Sequence, residues 1–544
     1  MIRSPRPRER KSDPVTVEGN GHRTAGQRSL VGRALSRLLS DGSLTKKASL
    51  NAVASTAEQA ARIFAGLLIT PFIVTRLGDT LYGTWQVLQR LIGHASPASG
   101  RPGEALKWTI AHDQASTDFD HKRRQVGNAV AVWVLFLPVL LVTGGILAWF
   151  SPVWIDADPS SYGAIRLAGA ILVVDAVLFA LFYLPQSVLQ GENLGYKRLG
   201  LSVLLVFVSK SMLALAVYLT SGIVAMAFAT VAGTVLWGIA YVVIARSRVS
   251  WFGIARPSMA EVRGFVRLSW WFLVWNLVMT ISLGSDVVVL GVAGSTDLVT
   301  TYSLARYLPQ AITVAVATLI FAIMPGLGGL IGRGDLRRAV RIRGETMSLV
   351  WLFTVVAGAT VLLWVESFLR LWVGARYYPG AGAMLMIMLM VLQFSLIRTD
   401  ANIIDLTLNL RRKVLLGTVS AALAVALGWL FLAVFDMGIV GLALGFILGR
   451  AIQSVSYPLM IGRVLGTPPE TQLRAVIRPG LATAVLFASS TAVSSVVSAG
   501  SWMMLVVGVA VSAAALTAVA FFAGLSAGPR RLVWQRVRKV ARLT

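Results

Sequence analysis

Long apolar runs, separated by loops whose charge alternates, constrain this chain more than any other feature. Arg101, Lys107, Lys122, Arg123 and Arg124 fall in one interval between runs. The next interval has no Lys or Arg and carries Asp156 and Asp158. The pattern continues to the C-terminus, with Arg76, Arg370 and Arg376 as the exceptions. Runs of about twenty apolar residues match the roughly 30 Å of hydrocarbon that a helix must cross. In helical membrane proteins Lys and Arg concentrate in the loops that stay in the cytoplasm. The chain therefore reads as an all-α polytopic membrane protein whose loop charge records its orientation.

About fourteen transmembrane helices are expected, near residues 49–74, 81–97, 127–150, 163–186, 200–220, 223–245, 268–292, 299–325, 347–367, 381–408, 413–435, 438–461, 475–497 and 501–524. The second is short and polar, with Gln86, Gln89, Arg90 and His94. Eleven basic residues precede Ser49 and six follow Pro529, so both termini are expected in the cytoplasm, as an even number of crossings requires. Residues 1–48 read as a disordered basic cytoplasmic tail, rich in Pro, Gly and Ser. Residues 49–246 form an expected N-terminal six-helix bundle and 247–267 a cytoplasmic linker. Residues 268–461 form a second six-helix bundle, 462–526 two additional transmembrane helices and 527–544 a basic cytoplasmic tail. Six spans per half in one orientation suggest two pseudo-symmetric bundles, a transporter plan. The longest inward loop, about 98–126, is polar and expected to hold an amphipathic segment.

Composition narrows the function. The 544 residues are 56% hydrophobic and only 14% charged, against about 25% charged in soluble domains. The formal net charge of +26 would suit nucleic acid. Its placement in tails and alternate loops instead fits topology and attraction to anionic membrane lipid, with no nucleic-acid partner. The chain has no cysteine, which excludes disulfides and thiolate metal sites. Its four histidines show no metal-binding spacing, so no metal and no resident cofactor are expected. The outward loops are too short to hold the large domain of an envelope glycosyltransferase or polymerase. No catalytic residue and no enzyme activity are expected.

An ionisable side chain at the bilayer centre costs roughly 2.5–3.5 kcal/mol on insertion scales and marks a functional position by default. The apolar runs contain Glu58, Arg62, Arg90, Asp175, Lys210, Arg306, Arg398, Asp400, Asp405 and Arg450, with Asp286 toward the outer end of the seventh. Helical spacing groups them. Ser55, Glu58, Arg62 and Gly66 share one face, as do Tyr82, Gln86, Arg90 and Gly93. Asp175, Phe179, Tyr183 and Gln186 form another stripe, and Tyr302, Arg306, Gln310 and Thr313 a fourth. Arg398, Asn402, Asp405 and Asn409 make a fifth. Such faces most simply surround a watery cavity between the halves. Plainer readings stand beside this one. Glu58 and Arg62 sit four residues apart and suit an ion pair; Asn402, Asp405 and Asn409 suit interhelical hydrogen bonds; Arg450 and Lys210 suit pairing with an acid elsewhere. Arg62, Arg90 and Arg306 are the expected substrate-binding residues. Glu58, Gln86, Tyr302, Gln310, Arg398 and Asn402 are the expected polar lining. An excess of arginine, a planar donor fork that stays charged when desolvated, points to an anionic substrate such as a phosphate or pyrophosphate group. Pro71, Pro138, Pro185, Pro309, Pro325 and Pro458 read as kinks or hinges.

Several segments resemble a known family. They are Leu68-Ile-Thr-Pro-Phe-Ile-Val-Thr-Arg-Leu-Gly-Asp-Thr-Leu-Tyr-Gly-Thr-Trp85, then Asp286-Val-Val-Val-Leu-Gly-Val-Ala-Gly294, Tyr302-Ser-Leu-Ala-Arg306, Ile323-Met-Pro-Gly326 and the Gly-Asp-Leu-Arg-Arg loop at 334–338. Their order resembles polysaccharide flippases, of the O-antigen or repeat-unit type, in the MOP exporter superfamily, over roughly residues 49–460. The resemblance implies a MOP/MATE-like pair of bundles around a cationic cavity lined by spans 1, 2, 7 and 8. It implies a polyprenyl-pyrophosphate-linked oligosaccharide as cargo, moved from the inner to the outer leaflet of the bacterial cytoplasmic membrane. Arg62, Arg90 and Arg306 fall on the lining spans, and Asp286 and Tyr302 match the family's acid and aromatic positions. H+ or Na+ is the candidate coupling ion, with Asp175 and Asp286 as its carboxylates. A glycan polymerase or glycosyltransferases are the candidate protein partners. Two rivals remain: a cation-coupled multidrug or metabolite antiporter of the MATE branch, and a non-transporting assembly factor for glycan synthesis.

Overall fold

The first helix, α1 (Leu44–Ala95), carries both of the first two expected spans. The computed structural model describes residues 44–114, 116–194, 199–220, 222–332, 334–406, 410–528, 530, 531 and 534. Asn409 and most of both tails lie outside these residues. Within α1, Gly78 adopts φ 77° and ψ 173°, a conformation that costs glycine little and a side-chain-bearing residue much. The neighbours of the two arms show that the chain reverses there. In the first arm, Ala61 and Ala65 pack on Val206, and farther along Arg76 covers the ring of Tyr218, so it runs in the same sense as α5 (Leu199–Thr220). In the second arm, Leu88 meets Gly169, and Gly93 shares a cavity with Leu172 and Asp175 of α4 (Tyr162–Gly191). The chain turns between α5 and α6 (Ile223–Arg248) so that Gly233 returns to Ser209. Phe182 of α4 packs on Gly238, and Leu184 and Val188 lie with Tyr241 and Ala245, so α4 runs with α6 and against α5. The arms of α1 therefore run oppositely.

Pro71 lies inside the first arm and has no N–H to offer the Leu67 carbonyl. An unsatisfied carbonyl in hydrocarbon costs several kcal/mol. Trp372 supplies the missing donor: its Nε1–H donates to Leu67 O at 2.7 Å. Tyr307 donates likewise to the Ile63 carbonyl.

The expected amphipathic segment is α2 (Pro102–His112). It buries Ala105, Leu106 and Ile110 and leaves Trp108 exposed. Next come α3 (Phe119–Trp154), α4, α5, α6 and α7 (Met259–Ala293), the last opened by a capping box between Ser258 and Glu261. The eighth expected span, 299–325, is not one straight helix. It consists of α8 (Thr296–Ala305) and α9 (Tyr307–Gly332), bent by 52°. The cause lies in the sequence. Pro309 cannot donate to the Ala305 carbonyl, and the bend falls at Arg306.

The remaining helices are α10 (Leu336–Trp372), α11 (Ala381–Asp405), α12 (Leu410–Trp429), α13 (Gly438–Leu465), α14 (Pro469–Ser494) and α15 (Trp502–Val519). The last two and the segment between them lean on α10 through three hydrogen bonds. Trp351 Nε1 donates to Thr483 Oγ1 at 3.0 Å, Trp364 Nε1 to Ser512 Oγ at 2.9 Å, and Ala499 N to Ser367 Oγ at 3.0 Å. Val496, Met503 and Val511 face outward and are exposed, as a lipid-facing surface requires. The described residues contain no β-strand. Among the described residues twelve helices are long and apolar enough to cross a membrane, or thirteen if α8 and α9 count as one span. The reversal at Gly78 divides one of the twelve and accounts for the fourteenth expected crossing.

Candidate functional site

The bend at Arg306 positions the main cluster of charge. Arg306 closes α8, and its guanidinium meets Asp286 of α7 in an ion pair, with Nη2 also donating to Leu283 O at 3.3 Å. Tyr302, one turn back on α8 and fully buried, donates its hydroxyl to the same carboxylate at 2.8 Å. Asp286 is 2% exposed and also caps the Val287 N–H at 2.9 Å. Polar groups at a broken transmembrane helix are a common setting for substrate or ion binding.

Two further arginines converge on this carboxylate. Arg90, on the second arm of α1, packs with His94 against Gly284 and lies within electrostatic reach of Arg306 and Asp286. Arg90 makes no ion pair among the described residues. His94 bridges the arm and α7, with Nε2 3.2 Å from Ser285 Oγ and Nδ1 2.5 Å from Arg90 O. Arg450 of α13 donates to Ser282 O at 2.5 Å and lies 5.2 Å from the rings of Phe394 and Phe446. It interacts electrostatically with Asp286 and Arg306. The expected acid partner of Arg450 is thus replaced by a backbone carbonyl and two aromatic faces. Three guanidinium groups face one carboxylate, which leaves two positive charges unbalanced in a low-dielectric setting. A phosphate or pyrophosphate group has the charge and the acceptor geometry to complete such a cluster.

The other expected residues sort differently. Arg62 pairs with Glu58 at 2.7 Å, and its side chain is 47% exposed. Lys210 of α5 lies within electrostatic reach of Arg62 and makes no ion pair among the described residues, against the expectation of an acid partner. Gln86 hydrogen-bonds to Tyr82 on its own arm. Gln310 is exposed on α9, its backbone N–H donating to Arg306 O at 2.8 Å. Asn402 donates to Arg398 O at 2.7 Å within α11. Asp405 pairs with Lys413 at 2.6 Å, and the ammonium lies 3.4 Å from the Trp275 ring centroid. Asp400 is held by both arms of Arg343, at 2.8 and 2.9 Å.

Asp175 lies apart from Asp286. It lines a cavity of about 200 Å3 walled by the second arm of α1, the start of α2, α4 and α6. Its Oδ1 has no hydrogen-bond partner among the described residues. At the same cavity, Glu104 accepts from Lys107 at 2.6 Å and from Tyr183 at 2.8 Å. Burial raises the Glu104 pKa, but Lys107, Tyr183 and Arg101 outweigh it and hold the carboxyl below its ordinary value. From sequence, Arg450 had only an expected pairing with an acid elsewhere, and Arg101 and Glu104 had no place in a site. Arg450 carried a signal as a charge inside an apolar run. Arg101 and Glu104 carried none, since they look like ordinary loop charges.

No protein-family model and no curated protein matches the chain in sequence. Solved structures do match its fold. The lipid II flippase MurJ, in an inward closed conformation, superposes with a TM-score of 0.64 at 10% identity, over 87% of this chain and 98% of MurJ. An inward-facing multidrug resistance MATE transporter of the MOP superfamily gives 0.60 at 13% identity, over 76% and 95%. A MATE protein in complex with MaD3S gives 0.56 at 13% identity, over 79% and 98%. The chain has the fold that these transporters and this flippase share.

Proposed function

We propose that this protein is a flippase for an anionic lipid-linked glycan. It moves polyprenyl-pyrophosphate-linked oligosaccharide from the inner to the outer leaflet of the bacterial cytoplasmic membrane, with both termini in the cytoplasm. The observation that carries this reading is the set of Arg90, Arg306 and Arg450 around the single carboxylate of Asp286, at a broken membrane helix. A pyrophosphate supplies the missing negative charge. The polyprenyl tail stays in the bilayer, and rocking of the two six-helix halves alternates access. Lys210 of α5, beside the ion-paired Arg62 and Glu58, adds one positive charge next to the first arm of α1. Proximity to a glycan polymerase or glycosyltransferases follows from the cargo.

The Asp175 carboxylate, hydrogen-bonded to Thr234 but with Oδ1 idle among the described residues, supports coupling to H+ or Na+, and with it the second reading, a cation-coupled antiporter of the MATE type. The readings separate in proteoliposomes. The flippase reading expects the protein to flip a polyprenyl-pyrophosphate oligosaccharide faster than empty vesicles do. Arg90→Ala should cut binding and transport at least tenfold, about 1.4 kcal/mol, without lowering the melting temperature, because no acid loses its partner. Absence of flipping under both H+ and Na+ gradients sinks the reading. Export of organic cations that survives Arg90→Ala and fails in Asp175→Asn replaces it with the antiporter.

A further inference from the structure

The cavity beside Asp175 has no part in anion binding at Arg90, Arg306 and Arg450. Arg90 and His94 face Gly284, whereas Gln89 and Gly93, on another face of the same helical arm, line the cavity. Its volume of about 200 Å3 holds roughly six or seven waters at ~30 Å3 each. That is room for one six-membered ring, and less than the ~300–1,000 Å3 of pockets for drug-sized ligands.

The walls describe what such a ring must be. Arg101 in the wall and Lys107 behind Glu104 offset the two acids, Glu104 and Asp175, so the cavity selects for no net charge. Donor and acceptor atoms both stand idle there: Arg101 Nε and Asp175 Oδ1 have no partner among the described residues. One side is apolar. The rings of Phe179 and Tyr183 stack 5.9 Å apart at 22°. A ring with a C–H face for the aromatics and a rim of hydroxyls, each both donor and acceptor, satisfies size, charge and surface together.

We propose that this cavity is a subsite for one uncharged sugar ring of the lipid-linked cargo, an inference that rests on the flippase reading. Gln89 and Arg90 are consecutive in α1, a rise of only ~1.5 Å. A molecule whose pyrophosphate lies at Arg90 therefore has its nearest sugars within reach of the cavity. The aromatic face and the idle polar atoms make the cavity a selector for the glycan, while the arginines hold the part common to every such lipid.

The test measures binding of three probes to the full-length protein: a bare polyprenyl pyrophosphate, the same lipid carrying an oligosaccharide, and the free oligosaccharide. A Cβ on Gly93 meets nothing within 4 Å, so Gly93→Leu fills the cavity without a clash at its root. Wild type should prefer the glycosylated lipid to the bare one at least tenfold and bind the free sugar far more weakly than either lipid. Gly93→Leu should erase that preference and leave bare-lipid affinity unchanged, whereas Arg90→Ala should weaken both lipids alike. Phe179→Ala reads the same quantity if Gly93→Leu fails to fold. A preference that survives both Gly93→Leu and Phe179→Ala overturns the subsite while the flippase reading stands. Free sugar that binds as tightly as the glycosylated lipid overturns its assignment to the cargo. If neither lipid binds wild type, the flippase reading fails and the subsite with it.

Discussion

The cluster around Asp286 and the network around Glu192 use the same residue types to opposite ends. At the start of α3, Lys122 is 2% exposed and donates to Glu192 at 2.9 Å and to Gln114 O at 3.2 Å. Trp251 Nε1 donates to the same carboxylate, and Arg123 donates to Trp251 O. Each cation there has its acceptor within the protein. At Asp286 one carboxylate serves Arg306 and Tyr302, while Arg90 and Arg450 have no acid of their own among the described residues. A balanced network holds helices together, whereas an unbalanced one is, on the proposed flippase function, where the anion binds. Membrane-embedded charge is costly enough that an imbalance of this kind needs a compensating partner.

Substitutions sharpen the contrast, beginning where it should be greatest. Asp286→Asn strands Arg306 and increases the unbalanced charge, so it should destabilise the protein by ~3–5 kcal/mol, as removal of one member of a buried pair does. Thermal melting in detergent measures this. A melting temperature equal to that of wild type would mean that the carboxylate is not the anchor of the cluster.

Lys122→Met should cost less, ~1–3 kcal/mol, because Glu192 keeps the Trp251 donor. Binding of the pyrophosphate lipid per folded molecule should not change. A loss of affinity would erase the distinction between a structural and a ligand-seeking network.

The smallest effect concerns pH. The folded protein holds Glu104 below its ordinary value of 4.5. Its contribution to stability is therefore complete above the unfolded value and is lost as pH falls through the lower folded one. Melting curves of Glu104→Gln across the acid range should show a shallower decline than wild type. An identical decline would show that the contacts to Lys107 and Tyr183 contribute nothing.

Much of the fold was legible in the sequence, for reasons tied to particular residues. Apolar run length gave the crossings, and Pro309 marked the place where the eighth span breaks, though not that Arg306 would be turned toward Asp286 there. The short, polar second span was readable only as a weak signal. Gly78 makes it the return arm of α1, lying against α7 with Gly83 so close to Thr296 that a side chain would collide. The stripe containing Arg62 was visible, and so was its pairing with Glu58, because both lie on one helix. The Asp286–Arg306 pair was not visible, since Asp286 is on α7 and Arg306 beyond it.

The sequence by itself determined the class of protein, the alternation of its loops and the roster of charges placed in the membrane, because those follow from local composition and the energy of transfer into hydrocarbon. Only the tertiary structure decided which charges are balanced. Helical period tells which residues share a face, not which helix lies across from that face. The lack of an ion pair at Arg90 among the described residues, the seating of Arg450 against two aromatic rings, and the cavity lined by Gly93, Arg101 and Asp175 all depend on packing between segments distant in the chain.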